Sequence, residues 1–338
     1  MRRALQLASK GRNTASPNPM VGCVIVKDER IIGEGWHFKA GQAHAEVMAI
    51  RSVKQKEDLK DASMYVSLEP CSHHGRTPPC SELIIQSEIP RVFICNLDPN
   101  PLVSGRGKQL LVSAGVHVTN GVLESEGEFL NRRFFHFHRR KLPYFILKWA
   151  QSADGFMDVN RKPGDIGSFP ISGKAAHRLS HLWRSTEDAI LVGRRTVEVD
   201  RPSLTSRHYR GRNPIRFVID SHRKLNGHQP ILEQDGKCIR FSSIKGNHQE
   251  SGFDEEVIGD DIFEAITEWC VKHQVLSVLI EGGAETLKGF IARGMWNEFR
   301  VFQSMNAIGG GLKAPELPAV PDEYRRIGSD ELFIGYNK

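Results

Sequence analysis

The sequence predicts an α/β protein built as two domains. Two observations set the class and a third sets the division. Short apolar runs rich in Val and Ile, such as "MVGCVIV" and "VLSVLIEGG", alternate with helically spaced segments such as "AEVMAIRSV" and "DIFEAITEWCVKH". That alternation is the pattern of a largely parallel sheet covered by helices. The chain has 338 residues, enough for two cores at about 100–200 residues per domain. A charged stretch, "RRFFHFHRRKLP", ends in Pro143 before a new strand begins. The domains are therefore expected at 1–137 and 143–338.

Taken in order, "MRRALQLASKGR" reads as an amphipathic helix with Ala4, Leu5 and Ala8 on one face. "MVGCVIV" and "RIIGEGW", separated by "KDE", predict a hairpin. "AEVMAIRSV" has helical spacing and "SMYVSL" reads as a strand. "CSELIIQSE" follows two prolines and reads as a helix, since Pro suits a helix start. Then come a strand in "RVFIC", a helix in "GKQLLVSAG" stopped by Gly115, and a strand and turn in "VHVTNGV". The basic stretch before Pro143 is expected to be an interdomain hinge with a solvated face. Its His136 and His138 have no third ligand nearby. In the second domain, strands are expected in "YFILKWAQS", "DAILVG", "PIRFVID", "CIRF", "VLSVLIEGG" and "FRVFQS". Helices are expected in "SGKAAHRLSHLWRS", with Ser172 as N-cap, in "DIFEAITEWCVKH" and in "AETLKGFIARG".

Composition excludes several classes. Hydrophobic content of 39% and charged content of 25% are ordinary for a soluble globular chain. No apolar run reaches about 18 residues, so no membrane span is expected. The N-terminus lacks the apolar core and cleavage site of a secretory leader. A cytoplasmic location is expected, with the six cysteines as thiols in a reducing compartment. The net charge of +6 serves solubility or an anionic ligand such as a phosphate or dinucleotide. No long basic run interleaves with aromatics, so nucleic acid is not an expected partner.

Two segments carry chemistry. Zinc takes N and S ligands, and a catalytic site keeps one of its four positions open. His44, Cys71 and Cys80 supply one imidazole and two thiols, and Cys80 opens a helix, where thiols ionise more easily. Glu46, two residues after His44, is placed to move a proton between water and a leaving amine. His-x-Glu, then Pro-Cys, then a second Cys is the zinc deaminase pattern. Eight residues separate the two cysteines here, whereas the general pattern has two. The inserted "SHHGRTPP" offers substrate contacts through His73, His74 or Arg76. Asn18, between two prolines, is either a simple turn residue or a fixed donor and acceptor for a heterocycle edge. In the second domain, Gly282-Gly283 lies between a strand and a helix, where backbone N–H groups can approach a phosphate. The loose Gly-x-Gly pattern at Gly309 is followed by prolines that forbid a helix, so it is no dinucleotide fingerprint. "RRTVEVDRPSLTSR" is expected as a polar loop between strands, either solvated or lining an anion pocket. Lys148 and Asp154 are each either a proton donor or part of a structural ion pair.

Together, "SPNPMVGCVIV", "HAE", "LEPCSHHGRTPPC", "DPNPLVSGRG", "LKWAQSADG", "AILVGRRTVEVDRPSLTSR" and "VLIEGGAETL" resemble the bifunctional riboflavin-biosynthesis deaminase/reductase family over nearly the whole chain. The resemblance implies a cytidine-deaminase-like α/β/α domain followed by a dihydrofolate-reductase-like α/β domain. It implies deamination of a diaminopyrimidinone ribosylamino phosphate, then NADPH reduction of its ribose to a ribityl chain. Zn2+ and NADPH are the implied cofactors, a phosphorylated pyrimidine the substrate, and a homo-oligomer is expected. Carried over by position, Ser168, Arg184, Leu204, Arg207 and Glu281 would contact substrate, Arg207 through the phosphate. Ala150, Thr196, Asp200, Ser221 and a loop from Gly283 to Gly289 would contact the cofactor. One departure is "FPIS" at Phe169 to Ser172, where the family has Trp-Ile-Thr and Pro170 stands for the Trp. That departure leaves open a monofunctional deaminase with a binding-only C-terminal half. A non-catalytic zinc scaffold is disfavoured, because it needs no Glu46.

Overall fold

The computed structural model describes residues 1–72, 78–100, 104–162, 164–209, 211–225, 227–244 and 252–337. It divides into two compact units, Met1–Lys141 and Leu142–Lys338.

The first unit is a five-stranded sheet in the order β2-β1-β3-β4-β5. Strands β1 (Gly22–Lys27) and β2 (Arg30–Trp36) pair antiparallel as the expected hairpin. Asp28 and Glu29 at its tip have φ of 47° and 60°, the left-handed pair whose twist matches that of the strands. Strands β3 (Ser63–Leu68), β4 (Arg91–Asn96) and β5 (His117–Asn120) run parallel. Helix α1 (Arg2–Ala8) buries Ala4, Leu7 and Ala8, while Leu5 is only half-buried. Leu7 takes the expected place of Leu5 because positions 4, 7 and 8 share one face at helical spacing. Helix α2 (Ala45–Ser52) lies close against β2. A Cβ on Gly35 would meet the carbonyl oxygen of Ala45 and the nitrogen of Ala49, both at 2.4 Å, and one on Gly33 the oxygen of Ala49 at 2.6 Å. The alternating glycines of "GEG" thus let a helix backbone touch a strand. Gly35→Ala should cost about 1–3 kcal/mol through overpacking and loosen α2. Chemical denaturation checks the first effect and the zinc content of the purified variant the second.

Helices α3 (Cys80–Gln86) and α4 (Arg106–Ser113) follow as expected, with Gly115 at φ 84° beyond α4. The basic stretch is not a hinge. After α5 (Glu124–Leu130) it forms α6 (Arg132–Arg140), which buries Phe134, Phe135 and Phe137 and lays the Arg139 guanidinium 4.8 Å over the Phe135 ring. Three phenylalanines within one turn make an apolar helix face that outweighs the charges around it.

The second unit is a nine-stranded sheet in the order β11-β10-β9-β8-β12-β6-β13-β16-β15. Its strands are β6 (Tyr144–Gln151), β8 (Ala189–Gly193), β9 (Ile215–Ile219), β10 (Cys238–Ser242), β11 (Glu255–Ile258), β12 (Ser277–Ile280) and β13 (Glu298–Gln303), all parallel, then β15 (Glu323–Ile327) and β16 (Asp330–Tyr336), antiparallel. Two short strands, β7 (Phe156–Asp158) and β14 (Leu312–Lys313), pair apart from it. Helices α9 (Ile262–Lys272) and α10 (Ala284–Ala292) cover the sheet around Trp149, Phe217, Phe241, Trp269 and Phe290, and α7 (Lys174–Thr186) packs on Phe302, Leu332 and Ile334. Ser172 does not cap α7. Gly173 is the N-cap, and its N–H donates to the Asp330 carboxylate at 2.7 Å. "RRTVEVD" is not a loop but α8 (Arg194–Asp200), which buries Val197 and pairs Arg194 with Glu198 one turn on. The "DELFIGY" edge hairpin, unforeseen in the sequence, completes the antiparallel side.

Candidate functional site

His44 is the N-cap of α2, with extended backbone at φ −71° and ψ 163°. Glu46 is in the first turn of that helix and only 3% exposed. Cys71 lies just past β3 and Cys80 is the first residue of α3. These elements are separated in the chain and joined by the sheet. The His44 Nδ1 atom is 3.3 Å from Cys80 Sγ and 3.6 Å from Cys71 Sγ. The ligand atoms of the three residues all lie within 4.8 Å of one another. The backbone N–H of Cys80 donates to the Cys71 sulfur at 3.3 Å. Hydrogen bonds from Cys80 and His44 hold the Cys71 thiol down at about 4, and the same contact pushes Cys80 up. A hydrogen bond to Cys71 raises the His44 imidazole. One nitrogen and two sulfurs, one already favouring the thiolate, suit zinc. Burial raises the Glu46 carboxyl to about 7, with His44 opposing and Cys71 adding to it.

The cysteine loop is anchored by groups that sequence reasoning missed. Glu69, two residues before Cys71 and buried, accepts the N–H groups of Asp98 at 3.1 Å, Gly105 at 2.9 Å and Lys108 at 3.1 Å. It caps the start of α4 with its carboxylate. A Cβ on Gly107 would sit 2.0 Å from the Pro70 oxygen, so α4 presses directly on the segment that presents Cys71. The Ser81 hydroxyl donates to the Cys71 carbonyl at 3.1 Å. Asn18 is half-buried, with its Nδ2 3.1 Å from Nε2 of His37. His37 Nδ1 is 3.2 Å from the Ala43 carbonyl. If Nδ1 carries the proton for Ala43, Nε2 is left to accept from the Asn18 amide. Burial lowers the His37 pKa, which keeps it in that neutral form. This arrangement leaves the Asn18 amide oxygen uncommitted to His37. No spacing signal marks His37; it meets the site because β2 runs back toward the start of α2. His73, His74 and Arg76 lie outside the described residues.

In the second unit, several expected residues stand at the carboxyl ends of parallel strands, where open α/β sheets bind ligands. Ala150 is the penultimate residue of β6, Ser221 follows β9, and Glu281 and Gly283 follow β12; Gly193, not among those expected, ends β8. The Thr196 hydroxyl accepts the Gly283 N–H at 3.0 Å, tying the first turns of α8 and α10 together. A Cβ on Gly193 would meet Thr286 Oγ1 at 2.5 Å. Arg184 donates to both oxygens of Glu281, at 3.0 and 2.6 Å, and Lys148 Nζ is 3.6 Å from the same carboxylate. Burial pushes the Glu281 carboxyl up, but the charges of Arg184 and Lys148 outweigh it and hold the group at about 2. Asp154 is not near that pair; it accepts the Ser152 hydroxyl at 2.6 Å and the N–H groups of Ile308 and Gly309 at 3.1 and 2.8 Å. Asp200 ends α8 with its carboxyl raised to about 6, first by burial and then by Asp158. Leu204 is buried among Ile190, Val197 and Leu225 at a positive φ of 51°, a rare backbone state for a bulky residue. Arg207 is exposed beyond it. Ser168 is exposed, and the neighbouring Gly167 N–H donates to the Val199 carbonyl at 2.7 Å. The stretch from Gly283 to Gly289, a loop by the resemblance, is the N-cap and first half of α10, the helix expected in "AETLKGFIARG". Gly289 faces the Phe263 ring, which a Cβ would meet at 2.7 Å, so it serves helix packing.

Residues 1–96 match the cytidine and deoxycytidylate deaminase zinc-binding region, and residues 143–322 match the RibD C-terminal domain. The chain is 48% identical to riboflavin biosynthesis protein RibD of Actinobacillus pleuropneumoniae, over 92% of this chain and 84% of that one. It is 36% identical to the RibD of Escherichia coli, over 98% and 96%. Among solved structures it is similar to Acinetobacter baumannii RibD, with a TM-score of 0.88, 31% identity and 99% and 97% of the two chains covered. It is equally similar to a diaminohydroxyphosphoribosylaminopyrimidine deaminase/5-amino-6-(5-phosphoribosylamino)uracil reductase from Thermotoga maritima, with a TM-score of 0.87, 36% identity and 99% and 96% covered. Both halves are matched, which sets the binding-only reading of the second half aside. The chain belongs to the RibD family of riboflavin biosynthesis: it is a bifunctional enzyme with a zinc-dependent deaminase in its first unit and an NADPH-dependent reductase in its second.

Proposed function

We propose that His44, Cys71 and Cys80 hold the zinc and that Glu46 is the proton carrier of the deamination. The convergence of those three ligand atoms within 4.8 Å, beside a buried carboxyl raised to about 7, carries this reading. Bound zinc supplies Lewis acidity, which brings water toward ionisation at neutral pH. Glu46 takes a proton from the attacking water and delivers it to the departing amine nitrogen, which leaves as ammonia. Asn18, steadied by His37, orients the heterocycle edge. His73 and Arg76 complete the substrate contacts of this unit. The substrate is the diaminopyrimidinone ribosylamino phosphate, as the name of the Thermotoga relative describes its own.

In the second unit, Arg207 binds the substrate phosphate, and Ser168, Leu204, Arg184 and Glu281 line the sugar. Ala150, Thr196, Asp200, Ser221 and Gly283 receive the dinucleotide at the strand ends. Bound there, NADPH would supply the hydride, and these residues would place the sugar carbon to receive it. Gly289, in α10 against the Phe263 ring, is the remaining position of this cofactor set. The decisive test is a coupled assay of ammonia release and NADPH oxidation on the purified chain. Both activities are expected. Ammonia without NADPH oxidation overturns the roles assigned in the second unit. Arg207→Ala should raise the reductase KM about 10–100-fold, the value of a charge-assisted hydrogen bond of about 1.5–3 kcal/mol, and leave deamination unchanged. Equal loss in both assays would sink that assignment.

No described helix is long and apolar enough to cross a membrane. We also infer a cytoplasmic homo-oligomer. All six cysteines are unpaired, which suits a reducing compartment. Light scattering should return the mass of more than one chain; a monomer mass overturns the assembly.

A further inference from the structure

Among the described residues, two groups of three side chains bring metal-ligating atoms together, and only one of them is the deaminase centre. The other is His177, His181 and His208 in the second unit. We propose that these three imidazoles bind a divalent transition ion of borderline softness, such as Zn2+ or Co2+, with the remaining coordination position facing solvent.

His177 and His181 stand four residues apart on α7, so both project from one face of the helix. His208 comes from the turn after α8, closed by the Tyr209 N–H donating to the Ser206 carbonyl at 2.8 Å. The ring centroids of His181 lie 4.9 Å from His177 and 4.6 Å from His208, with interplanar angles of 77° and 87°. The rings therefore converge edge to face rather than stack. Their ligand atoms lie within 4.8 Å of one another. A tetrahedral ion with bonds of about 2.0–2.1 Å needs nitrogens roughly 3.3 Å apart, a closure the exposed His208 turn can supply.

The strongest mark is His181 itself. It is 0% exposed, yet neither Nδ1 nor Nε2 has a hydrogen-bond partner. A buried imidazole normally satisfies at least one nitrogen, and an orphaned donor or acceptor is costly. A metal ion satisfies the ligating nitrogen. Two guanidinium groups face His181: Arg184, already committed to both oxygens of Glu281, opposes a bound ion less than a free guanidinium would, and Arg207, beside His208, is exposed and screened by water. Three imidazoles without thiolates select zinc, cobalt, nickel or copper over the hard ions.

The test is metal stoichiometry of the untagged full-length chain, titrated with Zn2+ and then with Co2+. The comparison variants are the double replacement His177→Ala/His208→Ala and the single His208→Ala; both residues are exposed, so folding is preserved. The parent chain should bind two equivalents of metal and the double variant one, and His208→Ala should weaken the equivalent that the double variant loses at least tenfold. The Co2+ form of that equivalent should lack the thiolate-to-cobalt charge-transfer band that the Cys71 and Cys80 centre produces. Equal stoichiometry and affinity in parent and double variant overturn the proposal. So does a variant-sensitive equivalent that carries the thiolate band. Failure of the Cys71 and Cys80 centre would instead remove the equivalent that the double variant keeps.

Discussion

Glu46→Gln should keep its zinc and lose ammonia release by about 10²–10⁴-fold, the usual worth of general acid–base help. The amide matches the carboxyl in volume, so the buried pocket of a residue 3% exposed stays filled. The imidazole and the two thiols are untouched, which is why metal content should not move. What disappears is the group that takes and returns the proton. Burial lifts that group from 4.5 to about 7, toward the range in which a carboxyl can both take and return a proton. An ordinary surface carboxylate would hold too little of the acid to protonate a leaving amine. The variant should still oxidise NADPH when given the deaminated intermediate. Metal analysis, ammonia release and NADPH oxidation on one preparation separate these effects. Deamination near the parent rate would remove Glu46 from the mechanism.

Glu281→Ala should destabilise the second unit by about 3–5 kcal/mol, the cost of stranding a buried charge. The carboxylate is 7% exposed and stands between Arg184 and Lys148, themselves 12% and 13% exposed. Truncation leaves two cations in low dielectric with no counter-ion. Equilibrium unfolding in urea reads this directly and does not depend on any role of Glu281 in substrate binding. The same carboxylate gives a pH dependence of definite sign. Its folded value, about 2, lies below its ordinary 4.5, so its contribution is fully present above about 4.5. That contribution, on the order of 3 kcal/mol, fades as pH falls through that window toward 2. Glu281→Ala should flatten acid unfolding there. An unchanged acid limb would mean the pair contributes nothing net.

The deaminase centre was largely legible before any coordinates. His44, Glu46 and Cys80 announce themselves by residue type and by position at the starts of helices, and Cys71 by type and by its place just past a strand. Glu69 and His37 did not, because nothing local distinguishes a carboxylate that caps α4 or an imidazole just past the strand beside α2. Helix phase misled at Leu5, and charge misled at α6, where Phe134, Phe135 and Phe137 already held the helical spacing. Arg-rich composition hid α8 for the same reason. The helix holding Gly289 was legible in its spacing, but a glycine in sequence carries no record of the ring it packs against. His177 and His181 stood four apart in plain view; His208 joins them only because the turn after α8 folds back onto α7.

By itself, the order of residues determined the α/β class, most strands and helices, the division into two parts and the zinc chemistry. Each of these rests on repeats of two or about four residues, or on side-chain types that admit few uses. Tertiary structure alone decided which distant groups meet: Glu69 with the start of α4, Asn18 with His37, Glu281 with Arg184 and Lys148, and three imidazoles with one another. Those meetings depend on strand order and on how closely glycines let backbones approach, and such distances are set by packing of the whole sheet rather than by any neighbouring stretch of chain.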